Sequence, residues 1–95
     1  MARKTVSFNQ HGINKLPDNK PVVYRIVTES GKNNYTGVAQ RGRVQDRVTE
    51  HLGSGKDPVP GAKVVIEQHS SIDEARAQEQ RIIARSQPKY NEQGK

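Results

Sequence analysis

Four kinds of side chain in this sequence could do chemistry together. Glu79 stands in line with Ile72, Ala75 and Ile83, at offsets of −7, −4 and +4. In a helix those positions share one face, so a carboxylate falls on an otherwise apolar stripe. An unpaired buried carboxylate costs several kcal/mol or takes up a proton, so it demands an arginine, a hydrogen-bond network or a bound cation. A structural ion pair, or exposure at the stripe's margin, satisfies the same pattern. Arg43, Arg47 and His51 recur every four residues beside the apolar row Val44, Val48 and Leu52. Asp46 and Glu50 can balance that row as a solvated helix face. The guanidinium fork also matches phosphate oxygens, and Arg41 adds to the same neighbourhood. Tyr24 and Tyr35 fall on successive extended segments; they suit either a core or a pair of hydroxyls offered to a ligand.

The elements that position these groups can be read from pattern. Residues 22–28 (VVYRIVT) are β-branched and aromatic, bounded by Pro21 and by Glu29-Ser30-Gly31, and read as a strand. Residues 33–39 read as its hairpin partner. An even loop sets Ile26 opposite Tyr35 and puts Tyr24 on the same face. A helix over 43–52 is stopped by Gly53, with Gly55, Pro58 and Pro60 in the loop beyond. Residues 63–69 form a third strand. The last helix spans 71–85, opened by a capping box of Ser71 and Glu74 and closed at Gln87-Pro88. Residues 1–20 are polar with scattered apolar points and read as an arm packed loosely on the domain at 21–95. The expected fold is α+β, a small three-stranded antiparallel-type sheet flanked by helices in the order β-β-α-β-α.

Composition narrows the function. The chain has 95 residues, of which 31% are hydrophobic, with no cysteine and no tryptophan. One thin core is all it can build. Disulfides and thiolate metal sites are excluded, and the three histidines are too scattered to suggest zinc. No apolar run approaches the roughly 20 residues of a membrane span. The start, MARKTVSFNQ, lacks a signal-peptide core, so the expected location is cytoplasmic. Sixteen Lys/Arg against ten Asp/Glu leave a net charge of +6, which favours a polyanionic partner such as nucleic acid.

In order along the chain, these residues resemble the GIY-YIG endonuclease family, whose nuclease domain occurs in excision-repair, homing and restriction endonucleases. Val22-Val23-Tyr24 stands at the first signature triplet and Tyr35-Thr36-Gly37 at the second. Arg47 and His51 match the arginine and histidine that follow. Glu79, nine residues before Pro88 and twelve before Asn91, matches the metal-binding glutamate with its downstream proline and asparagine. Departures from the pattern are VVY for GIY, Thr36 for an apolar residue, Val38 where some members carry lysine, and a long step of ten residues from Gly37 to Arg47.

The resemblance implies a DNA endonuclease with one Mg²⁺ or Mn²⁺ held by Glu79. It implies a scissile phosphate held by Arg47, and Tyr24 or Tyr35 as the base that accepts the proton of the attacking water. His51 would orient a tyrosine or carry protons, and Asn91 would hold Glu79 or the catalytic phenol. Arg41, Arg43 and Arg47 would line the DNA path, with a protein partner or targeting factor supplying specificity. A non-catalytic nucleic-acid-binding module on the same fold is the alternative.

Overall fold

In the computed structural model, which describes residues 3–53, 55–56, 58–88 and 90–91, the elements run β1 (Arg3–Ser7), α1 (Gln10–Ile13), β2 (Val22–Val27), β3 (Asn33–Ala39), α2 (Val44–Thr49), β4 (Lys63–Gln68) and α3 (Ile72–Ser86). The fold is α+β. Its sheet has four antiparallel strands in the order β1-β4-β2-β3, so β3 is an edge.

The fourth strand comes from the segment expected to be a loose arm. Arg3–Ser7 pairs with β4, from Arg3 opposite Glu67 to Ser7 opposite Lys63. Only Val6 of this strand is buried, which is why it showed no apolar alternation strong enough to read as a strand. The segment then turns through α1, capped by Asn9 accepting from the Gly12 amide at 2.7 Å, and delivers Ile13 and Leu16 to the core. A Cβ at Gly12 would collide with the Ser7 backbone, so this tight turn requires glycine.

Ile26 stands opposite Tyr35 and Tyr24 opposite Gly37 as expected. The register shifts between Ile26 and Val27, which pairs with Asn33, so the loop is not the even one that the expectation assumed. Alternation therefore sends Val22, Tyr24, Ile26, Tyr35, Val64 and Ile66 to one face. There they pack with Ile13 of α1 and Val44 and Val48 of α2 in a single hydrophobic core. Val23 and Thr36 are buried on the opposite face, and α3 packs against β3 and β2. Ala75 is the one residue of α3 that is fully buried; Ile72, Glu79 and Ile83 are only half-buried. α3 thus lies toward the β3 edge and is not centred over the sheet.

The termini of α3 follow local rules. Ser71 accepts from the Glu74 amide at 3.2 Å as the N-cap, but the Glu74 carboxylate reaches back to Ser70, accepting from its Oγ at 2.7 Å. The reciprocal half of the capping box is displaced by one residue. Gln87 ends the helix in the left-handed conformation at φ 45°, ahead of the buried Pro88. No helix among the described residues is long and apolar enough to cross a membrane.

Candidate active site

Tyr24, Tyr35 and His51 form a compact cluster on the α2 side of the sheet. Tyr24 is fully buried, and its hydroxyl meets His51 Nε2 at 2.9 Å. The Tyr35 ring stands 4.4 Å from the imidazole and 6.1 Å from the Tyr24 ring, centroid to centroid. Gly37 makes this approach possible: a Cβ there would lie 2.6 Å from Tyr24 Oη and 3.0 Å from Tyr35 Cε2. The second triplet therefore needs glycine for contact between rings, not for a turn.

His51 does not lie in one exposed row with Arg43 and Arg47, as the four-residue spacing suggested. α2 ends at Thr49, and the next amides bond three residues back, His51 to Val48 and Leu52 to Thr49. This tighter winding carries His51 inward to 4% exposure, while Arg43 and Arg47 stay in solvent. The loop beyond is tied back by the Val59 amide donating to the His51 carbonyl at 2.9 Å.

Burial pushes the Tyr24 phenol well above its ordinary pKa of 10.0; Tyr35 and Glu50 add to this, and Arg47 opposes it. Tyr24 is therefore a neutral hydroxyl that holds His51, the reverse of the lowered pKa a general base requires. Tyr35, only half-buried, is the phenol of the pair that water can reach.

Glu79 is half-buried on α3. Burial raises its pKa above the usual 4.5, and the Arg76 and Arg47 guanidiniums only partly counter that. Among the described residues neither arginine forms an ion pair with it. Alternation places both phenols on the face packed by α1 and α2, and no hydrogen bond or ring contact joins Glu79 to either of them among the described residues. Arg47, exposed on α2, lowers the pKa of Tyr24 and of Glu79 electrostatically, against the larger opposing effect of burial on each.

At that edge a cleft of about 310 Å³ opens between the end of β3, α2 and α3. Arg43, Arg47 and Arg76 line it. Arg41 does not; it lies in the turn before Gly42 and faces solvent. Arg76 was not anticipated, although its place three residues before Glu79, on a shared helix face, was the signal for it.

Asn91 touches neither Glu79 nor a phenol through its hydrogen bonds. Its Oδ1 accepts from the Thr36 amide at 2.8 Å and its Nδ2 donates to the Thr36 carbonyl at 2.7 Å. The side-chain amide acts as one residue of a further strand, capping the β3 edge between Tyr35 and Gly37. Its contribution to the site is to fix the backbone that carries Tyr35.

No group of three or more His, Asp or Glu side chains able to hold a metal gathers among the described residues. Glu79 alone suits a hard cation that retains several waters and completes its shell with substrate phosphate. Its raised pKa and the two nearby guanidiniums oppose a cation in the free protein, so that fit requires the phosphate to be present.

The chain matches no protein-family model and no curated protein.

Proposed function

We propose that this protein is a GIY-YIG-type DNA endonuclease that hydrolyses phosphodiester bonds with a single divalent cation, Mg²⁺ or Mn²⁺. The observation that carries the reading is the cleft at the end of β3 where Arg47 of α2 meets Arg76 of α3, three residues before Glu79 on the same helix. A half-buried carboxylate, an exposed guanidinium and a reachable phenol around one edge are what metal-assisted phosphoryl transfer uses.

Glu79 would hold the cation, which when bound polarises a non-bridging oxygen and relieves charge on the leaving oxygen. Arg47 grips the scissile phosphate and stabilises charge on its equatorial oxygens. A water attacks phosphorus in line, and its proton passes to Tyr35, the phenol accessible from solvent. An unperturbed phenol titrates near 10, so Tyr35 serves as base only in the electropositive setting of Arg47 and the loaded site. Tyr24 and His51 hold the Tyr35 ring through the packed cluster, and Asn91 fixes its strand. The leaving 3′ oxygen is protonated to a hydroxyl and the 5′ phosphate remains on the other fragment, as the family resemblance implies.

The test is nicking of supercoiled plasmid with Mg²⁺ or Mn²⁺, with EDTA and Glu79→Gln as controls. Metal-dependent nicking that disappears in the variant supports the proposal. Gel shifts without nicking turn the assignment to a binding module on the same fold.

A further inference from the structure

The cleft beside Glu79 holds more positive charge than one scissile phosphate needs. Arg43 and Arg47 come from α2 and Arg76 from α3, and Gln40 at the end of β3 lies between the helices. Among the described residues no carboxylate lines the cleft. All three arginine side chains are exposed, and among the described residues none is buried in a structural ion pair. The one contact that restrains any of them is loose: Arg43 Nε lies 3.8 Å from Asp46, with side chains 59% and 75% exposed. Three like charges converge with only the loose Asp46 contact and the nearby charge of Glu79 to offset them, and a bound anion removes the remaining repulsion.

Aromatic side chains are absent from the lining, so nothing there stacks a base; the groups present are those that read a backbone. α3 rises about 1.5 Å per residue, which sets Arg76 about 4.5 Å along the axis from Glu79. Strand charges follow one another at about 3.4 Å of helix axis, so helix and strand spacing are of one scale.

We infer that Arg43 and Arg76, with Gln40 between them, form a second phosphate clamp that holds the nucleotide next to the scissile one and runs the DNA strand from α2 to α3 across the β3 edge. The inference deepens the nuclease reading and rests on it for treating the bound strand as substrate. Arg76 is a binding residue in this scheme and takes no part in the chemical step.

The test is a binding measurement in EDTA, so that it fails or succeeds apart from catalysis. Fluorescence anisotropy of labelled duplex and single-stranded oligonucleotides is followed over a salt series for the wild type, Arg76→Gln and Arg43→Gln. Lys63→Gln serves as the charge-matched control, since Lys63 pairs with Val27 and Ser7 at the far end of the sheet. Each cleft variant is expected to weaken binding about 5- to 10-fold at low salt. Each should also lower the slope of log K against log salt by about 0.9 on duplex or about 0.7 on single strand. Lys63→Gln should change affinity by less than about 2-fold by the same reasoning, because a charge beyond a Debye length contributes little.

Equal losses in all three variants, or unchanged slopes in both cleft variants, overturn the clamp. So does a wild type that binds neither oligonucleotide. Plasmid nicking by the same preparations separates the two readings. Wild-type nicking with unaltered binding in the cleft variants sinks the clamp alone. Weakened binding in them without wild-type nicking keeps the clamp and sinks the nuclease. Unchanged circular dichroism establishes that the exposed substitutions leave the fold intact.

Discussion

Glu67 and Glu79 are both carboxylates within the folded domain, and their surroundings differ in kind. Glu67, on β4, is 9% exposed and fully partnered. Its Oε2 accepts from Arg3 at 2.9 Å, and its Oε1 faces His69 Nε2 at 3.0 Å. Burial opposes its charge, but the hydrogen bonds and charges of Arg3 and His69 prevail, and its pKa lies below 4.5. Glu79 is more exposed, yet burial holds its pKa above 4.5, and its two arginines, which form no ion pair with it among the described residues, only partly oppose that. The comparison teaches that burial alone does not mark a functional carboxylate. Glu67 is the more buried and the better satisfied, and it ties β1 to the sheet. Glu79 has two guanidiniums acting on it and, among the described residues, no ion pair or hydrogen bond of its own.

The strongest way to break this contrast is Glu79→Gln. Metal-dependent plasmid nicking is expected to fall at least about 10²- to 10³-fold, the scale of losing one major electrostatic group at a reacting phosphate. Thermal unfolding at neutral pH should show no loss of stability. A raised folded pKa means the ionised form works against folding, so any advantage of the variant appears near pH 7 and vanishes as pH falls below about 4.5. A variant that unfolds more easily at pH 7 would make Glu79 structural.

Glu67→Gln should do the opposite. It weakens the Arg3 and His69 bonds and is expected to cost about 1–3 kcal/mol in denaturant unfolding, with nicking per folded molecule unchanged. A depressed folded pKa contributes stability above the unfolded value that is lost as pH falls through the folded one. The wild type should therefore lose its advantage over Glu67→Gln as the solution is acidified below about 4.5, measured by Tm across a pH series.

Gly37→Ala sharpens the contrast from the catalytic side. A methyl group forced against Tyr24 and Tyr35 is expected to cost about 1–3 kcal/mol and to shift the tyrosine and imidazole NMR signals together. Independent movement of those signals would show that the phenols and His51 are not one packed unit. The smallest effect is expected from Arg3→Gln. Arg3 is 61% exposed in its side chain, so the loss should lie within about 1 kcal/mol.

The frame of the domain was legible because it is written in local signals. The VVYRIVT strand, the Ser71 cap and Gln87-Pro88 each act over a few residues. The Ile26–Tyr35 register, by contrast, is kept by a one-residue irregularity at Val27, which pairs with Asn33, and not by an even loop. The expected three-stranded sheet lacked β1 because Arg3–Ser7 buries only Val6 and is a strand by virtue of β4 alone. Tyr24, Tyr35, Arg47, His51 and Glu79 could be named from type and order; their roles could not. Helical spacing assumed that His51 continues the Arg43–Arg47 row, whereas the end of α2 winds more tightly and turns the imidazole inward to Tyr24. Nothing local tells that Asn91 would pair with Thr36, 55 residues away.

Sequence by itself determined which side chains are available, the hairpin that aligns the two phenols, and the excess of positive charge, since these depend on residue identity and near neighbours. Tertiary structure alone decided that Tyr24 is sealed while Tyr35 is reachable, and that Glu67 is paired while Glu79 is not. It alone brought Arg47 of α2 and Arg76 of α3 to one cleft at the end of β3. Burial and electrostatic fields come from groups far apart in the chain, so only folding brings them to bear on one carboxylate.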